Sequence, residues 1–186
     1  EPDYLYQSVS KKYDEEVLTE SGLFNLSENN RIFDTFKNRI MFPLKNEFGK
    51  TIGFSGRVWT KEDIEKGQAK YKNTRATRIF NKSYELYHLD QAKPVIQKTH
   101  EVYLMEGFMD AAYRAGHVNA VASMGTALTP EHVNRLRKLT KKIVLTYDGD
   151  KPGQNAIAKS LELLSDFQVD IVKIPDSMDP DEYLQK

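Results

Sequence analysis

Ile143-Val144-Leu145-Thr146-Tyr147-Asp148-Gly149-Asp150 is the stretch from which the fold is read. Its apolar and β-branched start reads as a buried strand. The glycine between two aspartates permits a sharp turn that aims both acids outward at the strand end. A similar ending occurs upstream, where a strand over 102–105 closes on Glu106-Gly107. Around these two segments strand and helix alternate. Strands are predicted at 102–105, 120–122, 143–147 and 169–174, and helices at 109–115, 131–139 and 154–164. Thr129-Pro130-Glu131 supplies a hydroxyl cap, a proline at the first helical position and an acid in the first turn. Such alternation implies an α/β fold, with parallel strands and helices on both faces.

The earlier part of the chain reads differently. A helix is predicted over 9–20 from Val9, Tyr13 and Val17, with Gly22 to end it. Residues 39–44 and 51–58 read as a hairpin, because Ile40, Phe42 and Leu44 alternate before the turn residues at 46–49. The polar stretch 61–77 is expected to be a loop, and 83–98 a helix with Leu86, Leu89 and Ala92 turned inward. The domain boundary is expected near residue 100, giving parts 1–100 and 101–186. The opening Glu1-Pro2-Asp3-Tyr4 lacks a Met and the close at 182–186 reads as the first turn of a helix, so the chain is read as a piece of a longer protein.

The 186 residues contain no cysteine, which excludes disulfides and any Cys-ligated zinc within this chain. No apolar run is long enough to span a bilayer and no signal-peptide pattern opens the chain, so a cytoplasmic protein without membrane contact is expected. The net charge of zero argues against a uniformly basic nucleic-acid binder, but the charges are segregated. Residues 31–82 hold 13 Lys/Arg against 5 Asp/Glu, whereas residues 101–186 hold 10 against 13. A basic block fits a polyanion and an acidic block fits metal, and an ordinary solvated surface with chance bias fits as well.

Six acids carry the chemistry: Glu106, Asp110, Asp148, Asp150, Asp179 and Asp181. Hard divalent cations take clustered oxygen ligands, and a parallel sheet delivers loop residues from separate strands to one edge. Acids far apart in sequence thereby converge on metal suited to phosphoryl or nucleotidyl transfer. Plainer readings stand beside this one. Asp110 suits a helix dipole, Asp150 suits an N-cap, and Asp179-Pro180-Asp181-Glu182 is what a simple capped helix start looks like. Glu106, directly after Val102-Tyr103-Leu104-Met105, is the hardest to explain structurally. The four histidines show no metal pattern and are read as incidental.

Glu106-Gly107-Phe108-Met109-Asp110 followed by Tyr147-Asp148-Gly149-Asp150 resembles the TOPRIM domain. Further segments narrow the resemblance to bacterial DnaG-type primases. Asn38-Arg39-Ile40-Met41-Phe42-Pro43, Ile52-Gly53-Phe54-Ser55-Gly56-Arg57-Val58, Lys70-Tyr71-Lys72-Asn73-Thr74, Ala122-Ser123-Met124-Gly125-Thr126 and Met178-Asp179-Pro180-Asp181 are similar to family segments in family order. One departure is Thr74-Arg75-Ala76-Thr77, where the family usually continues with a serine, proline, glutamate and threonine.

The resemblance implies a Rossmann-like TOPRIM subdomain over 101–186, preceded by part of a mixed α+β subdomain that carries a basic groove. It implies synthesis of short RNA primers on single-stranded DNA from ribonucleoside triphosphates. Glu106, Asp148 and Asp150 would be catalytic, and these three with Asp179 and Asp181 would ligate Mg²⁺, which Mn²⁺ can replace. Asp110 would orient a ligand. Arg39, Arg57, Lys70, Lys72 and Asn73 would meet template or nucleotide. Zinc is expected only in an amino-terminal domain outside this chain, and a replicative helicase only through a carboxy-terminal one. The fragment itself is expected to be monomeric, its source a bacterial cytoplasm at replication forks. Tyr71 and Trp59 suit base stacking, and Trp59 equally suits packing beside the hairpin. Two other readings compete: a TOPRIM nuclease or topoisomerase, which needs a nucleophilic tyrosine elsewhere, and a non-catalytic DNA-binding scaffold, which predicts eroded acids.

Overall fold

The computed structural model describes residues 3–107, 119–175 and 178–184, apart from the side chains of Asp181 and Leu184. Asp110 and the predicted helix 109–115 lie outside the described residues. The chain forms two compact units, Glu1–Leu44 with Thr51–Asn81, and Lys45–Lys50 with Lys82–Lys186.

In the first unit, α1 (Tyr4–Val9) and α2 (Glu15–Glu20) replace the single helix predicted over 9–20. Ser10 closes α1 by donating its N–H to Tyr6, and Asp14 is extended (ψ 147°) where α2 begins. Tyr13 and Val17 stay exposed while Leu18 is buried, so their four-residue spacing marks no core face. β1 (Phe24–Leu26) pairs antiparallel with β2 (Ile32–Asp34). Buried Asp34 accepts the Leu5 and Tyr6 amides at 2.7 and 3.0 Å, which fastens the positive end of α1.

The predicted hairpin is present as β3 (Arg39–Lys45) and β4 (Thr51–Val58). Asn46 Oδ1 closes its turn by accepting the Phe48 and Lys50 amides at 3.0 and 3.1 Å. The stretch expected to be a loop holds two short elements. α3 (Lys61–Glu65) starts at Thr60, whose hydroxyl accepts the Asp63 amide, and β5 (Tyr71–Asn73) pairs with Ser55–Arg57 of β4.

In the second unit, α4 (Leu89–Thr99) precedes β6 (Glu101–Met105), β7 (Ala120–Ala122), α5 (Pro130–Arg137), β8 (Lys142–Leu145), α6 (Lys151–Leu163), β9 (Gln168–Ile171) and α7 (Pro180–Leu184). The four strands are parallel, in the order β7-β6-β8-β9. Leu86, Leu89, Ala92 and Ile96 share one core with Val102, Leu104, Leu136, Ile143 and Leu145. The inward residues expected around α4 are therefore buried, though the helix begins six residues later than the predicted 83–98. This packing places residues from Lys82 onward in the second compact unit.

Glu47 joins the second unit through an ion network. Lys93 meets it at 2.6 Å, and Arg135 bridges it at 3.3 Å and Glu85 at 2.6 Å. His132 is buried and completes a capping box at α5: its amide donates to the Thr129 hydroxyl, and its Nδ1 accepts the Thr129 amide. Its Nε2 then donates to the Lys82 carbonyl at 3.0 Å. This histidine is a structural cap.

Candidate metal and polyanion sites

The chain enters the parallel sheet at β6, adds β7 on one side, and then crosses to β8 on the other. That reversal is a topological switch point, where open α/β sheets bind ligands at the carboxyl ends of their strands. Glu106 follows β6 and Asp148 lies just beyond β8, and the two strands are neighbours in the register Leu104↔Leu145. Burial raises the Glu106 pKa above its usual 4.5, and the charges of Asp148 and Asp150 raise it further. Among the described residues, Glu106 Oε1 is buried and has no hydrogen-bond partner.

Two glycines make the Asp148–Asp150 turn possible. A Cβ on Gly149 would stand 2.1 Å from the Pro175 carbonyl oxygen, and one on Gly153 would stand 2.1 Å from that of Asp148. Gly149 also donates its amide to the Met178 carbonyl at 2.9 Å, which draws the segment before Asp179 to the same turn. Asp150 caps α6, its Oδ1 accepting the Gly153 amide at 2.8 Å. Asp179 caps α7, accepting the Glu182 amide at 2.8 Å. The simple capping reading thus holds for one oxygen of each, and a carboxylate has a second oxygen to offer a cation. Asp148 and Asp150 are close enough for their charges to act on Glu106, and the segment before Asp179 adjoins the Gly149 turn through its backbone. Asp181 follows in the first turn of α7, and its side chain is outside the described residues.

The set is made of anionic oxygens and suits a hard divalent cation. Among the described residues, however, no three His, Cys, Asp or Glu side chains form a ready-made cage. Such a site fits a weakly dehydrated ion that keeps waters and shares substrate oxygens.

Beside Glu106 lies a cavity of about 490 Å³, bordered by Ser123, Thr126, Tyr147, Lys159 and Ser160. Ser123 and Thr126 each donate a hydroxyl to the other's carbonyl at 2.7 Å, which fixes that loop. The Tyr147 hydroxyl pairs with Ser160 at 3.2 Å, and burial pushes its pKa up to about 12. Lys159 was not singled out from sequence. The available signal is its spacing on α6, which puts it on the face of Pro152 and Asn155.

The basic residues of the first unit do not form one surface. Gly56 pairs with Lys72, and Arg57 with Tyr71. Paired residues share a face and successive ones alternate, so Lys72 and Arg57 project to opposite sides of the sheet. A Cβ on Gly56 would stand 2.9 Å from Arg39 Cδ, so Arg39 belongs to the Lys72 side. Its Nη1 donates to the carbonyls of Gly56 and Ala69 at 3.0 and 2.9 Å, and partial burial lowers its pKa. Arg39 is a tether between β4 and the loop before β5. Arg57 is exposed, its guanidinium carbon 5.8 Å from the Tyr71 ring centre. Lys70 is exposed next to Tyr71, and Asn73 pairs with buried Ser55 on that same side. Arg75 donates to the Thr19 carbonyl and Arg78 pairs with Glu20, so both brace α2.

Residues 1–93 match the family model described as the DNA primase catalytic core, N-terminal domain, and residues 103–184 match a toprim-like model. The chain is 60% identical over 185 residues to the DNA primase of Lactococcus lactis, covering 98% of this chain and 29% of that protein. The crystal structure of a DNA primase domain from Pseudomonas aeruginosa superposes with a TM-score of 0.88 at 30% identity, covering 100% of this chain and 59% of that one. A DnaG primase catalytic domain bound to single-stranded DNA matches with a TM-score of 0.82 at 31% identity, over 96% of this chain and 60% of that one. The chain thus spans less than a third of the curated relatives it matches.

Proposed function

From the premise that the chain belongs to the DnaG-type DNA primase family, its first half in the catalytic core and its second in the toprim-like fold, we propose that it carries the catalytic centre of a primase. The reaction is DNA-templated synthesis of short RNA primers, a nucleotidyl transfer. The 3′-hydroxyl of one ribonucleotide joins the α-phosphate of the next, and pyrophosphate leaves. The observation that carries this reading is Glu106: a partly buried carboxyl with an orphan oxygen, facing the charges of Asp148 and Asp150 at the switch point.

Bound divalent metal, Mg²⁺ with Mn²⁺ as a substitute, would supply positive charge at the triphosphate and lower the pKa of the attacking hydroxyl. Glu106, Asp148 and Asp150 would hold that charge in place, with Asp179 and Asp181 as further ligands from the segment that follows. The Gly149 turn fixes the spacing between the two aspartates, so little reorganisation is needed when substrate arrives. Arg57 and Lys70 meet DNA phosphates, Arg57 with a planar fork and Lys70 as a point charge. Ribonucleoside triphosphates, a replicative helicase and a cytoplasmic setting belong to the same proposal. No helix among the described residues is long and apolar enough to cross a membrane.

The test is template-directed ribonucleotide incorporation by the full-length protein, comparing wild type with Asp148→Ala. Loss of primer synthesis by about 100-fold or more is expected. Unchanged synthesis rejects the site. Thermal melting with and without Mn²⁺ gives a second readout, since a ligand that binds the folded state raises Tm. The Mn²⁺-induced rise should shrink in the variant.

A further inference from the structure

The first unit contains a cleft of about 550 Å³ whose walls include Leu23, Phe36, Ile40, Met41, Phe54 and Trp59. Its polar rim is Asn38 and Arg39. Trp59 is 68% exposed, Ile40 46% and Met41 39%. Packing beside the hairpin therefore does not account for the tryptophan. Contiguous exposed apolar residues with polar neighbours, as Trp59, Ile40 and Met41 are here, mark an interaction surface.

The surrounding charge says what kind of ligand fits. Lys72 lies on the Arg39 side of the sheet, through its pairing with Gly56. Its pKa is lowered by burial and by the nearby charges of Arg39 and Lys37. Lys37 is exposed, with its ammonium held 4.5 Å from the centre of the Phe33 ring. Lys72 thus stands close enough to Arg39 and Lys37 to be repelled by both, while Asp63, which accepts from Asn38 at 3.2 Å, offsets part of the Arg39 charge. An apolar side chain from a protein partner would fill the recess and leave that repulsion unanswered. A nucleotide answers both, with a flat apolar base and an anionic phosphate. The lining offers few hydrogen-bonding groups, so it grips a base face without reading its edge.

We propose that this cleft is a stacking site for an unpaired base of single-stranded DNA, with Trp59 as the stacking platform and Lys37 and Lys72 contacting the adjoining phosphates. The proposal rests on reading the chain as the template-binding part of a primase. It adds a base-dependent, sequence-tolerant contact on the sheet face opposite Arg57.

Trp59 is the only tryptophan in the chain, so its emission reports on this cleft alone. The test titrates the 186-residue chain, without metal or nucleotide, with an oligothymidylate and with an abasic strand of equal length. The oligothymidylate should quench Trp59 and bind about ten-fold more tightly than the abasic strand. Trp59→Ala should remove that ten-fold advantage while leaving abasic affinity and its salt dependence unchanged, and Trp59→Phe should retain most of it. Equal affinity for the two strands, or oligothymidylate binding that leaves Trp59 emission unaltered, overturns the stacking site alone. Failure of both strands to bind at low salt overturns it together with the template-binding reading. Emission that shifts with protein concentration, and not with DNA, overturns it in favour of contact between two copies of the chain.

Discussion

Glu106 and His132 show how one side chain's surroundings set its behaviour. Glu106 is held above the usual carboxylate range by burial and by two like charges, so its ionised form is strained until a cation arrives. Glu106→Gln keeps the shape and removes the charge. In metal-free buffer it should raise Tm by about 2 °C, and in primer synthesis it should lower the rate by about 100-fold. Differential scanning calorimetry paired with an incorporation assay checks both. A variant that melts earlier without metal contradicts the repulsion. His132 is perturbed in the opposite sense, its pKa lowered below 6.5 by burial, with Arg135 adding to the effect and its own hydrogen bonds and Glu131 opposing it. The folded state therefore binds this proton less well than the unfolded chain. Stability attributable to His132 is complete above pH 6.5 and declines as pH falls from there toward the lowered folded value. Its contribution to the slope is at most about 1.4 kcal/mol per pH unit. Urea unfolding across that interval should show the decline in wild type, and His132→Asn should flatten it. The position of Glu106 at a strand end was legible in sequence because a carboxylate directly after an apolar strand has few structural excuses. The role of His132 was not, because it depends on a carbonyl 50 residues away.

Elements were legible where their signal was local. The β3–β4 hairpin announces itself by alternation and by turn residues at 46–49, and the parallel strands announce themselves by short apolar runs between helices. α3 and β5 were hidden because five and three residues carry too little pattern, and β5 exists only by pairing with β4. The expected boundary near residue 100 falls between the two family matches, 1–93 and 103–184, whereas the compact units divide at Asn81 because Leu86, Leu89 and Ala92 pack on the parallel sheet. The turn between β8 and α6 was legible in its glycine, though not in the reason for it. Sequence suggests that Gly149 allows a sharp bend, whereas the coordinates show close approach by the carbonyls of Ile174 and Pro175. Backbone cannot step aside as a flexible side chain can. Gly149→Ala should therefore cost about 2–3 kcal/mol and loosen the Met178 contact that brings Asp179 to the turn. Chemical denaturation measures the first effect, and faster hydrogen exchange at the Gly149-position amide measures the second. Wild-type stability in the variant would mean that the 174–178 segment yields easily.

On the scale of the whole chain, charge is the property that the sequence displayed most plainly and localised least well. The surplus of positive residues between 31 and 82 was visible by counting, but counting does not separate cations that brace the fold from cations that face solvent. Arg39 spends donors on two carbonyls, Arg75 and Arg78 brace α2, and Arg57 stands exposed over Tyr71. A cation that contacts DNA phosphate displaces a counterion, and each such contact on a single strand adds about 0.7 to the slope of log affinity against log salt. Arg57→Gln should lower that slope by about 0.7 and weaken oligonucleotide binding most at low salt. Arg137→Gln removes the same formal charge from the second unit, where Asp166 already neutralises it at 2.7 Å, and should leave the slope unaltered. Fluorescence anisotropy of a labelled oligothymidylate over a salt series distinguishes the two. Equal changes in both variants would reduce the effect to net charge, and no change for Arg57→Gln would take that side chain out of the DNA path.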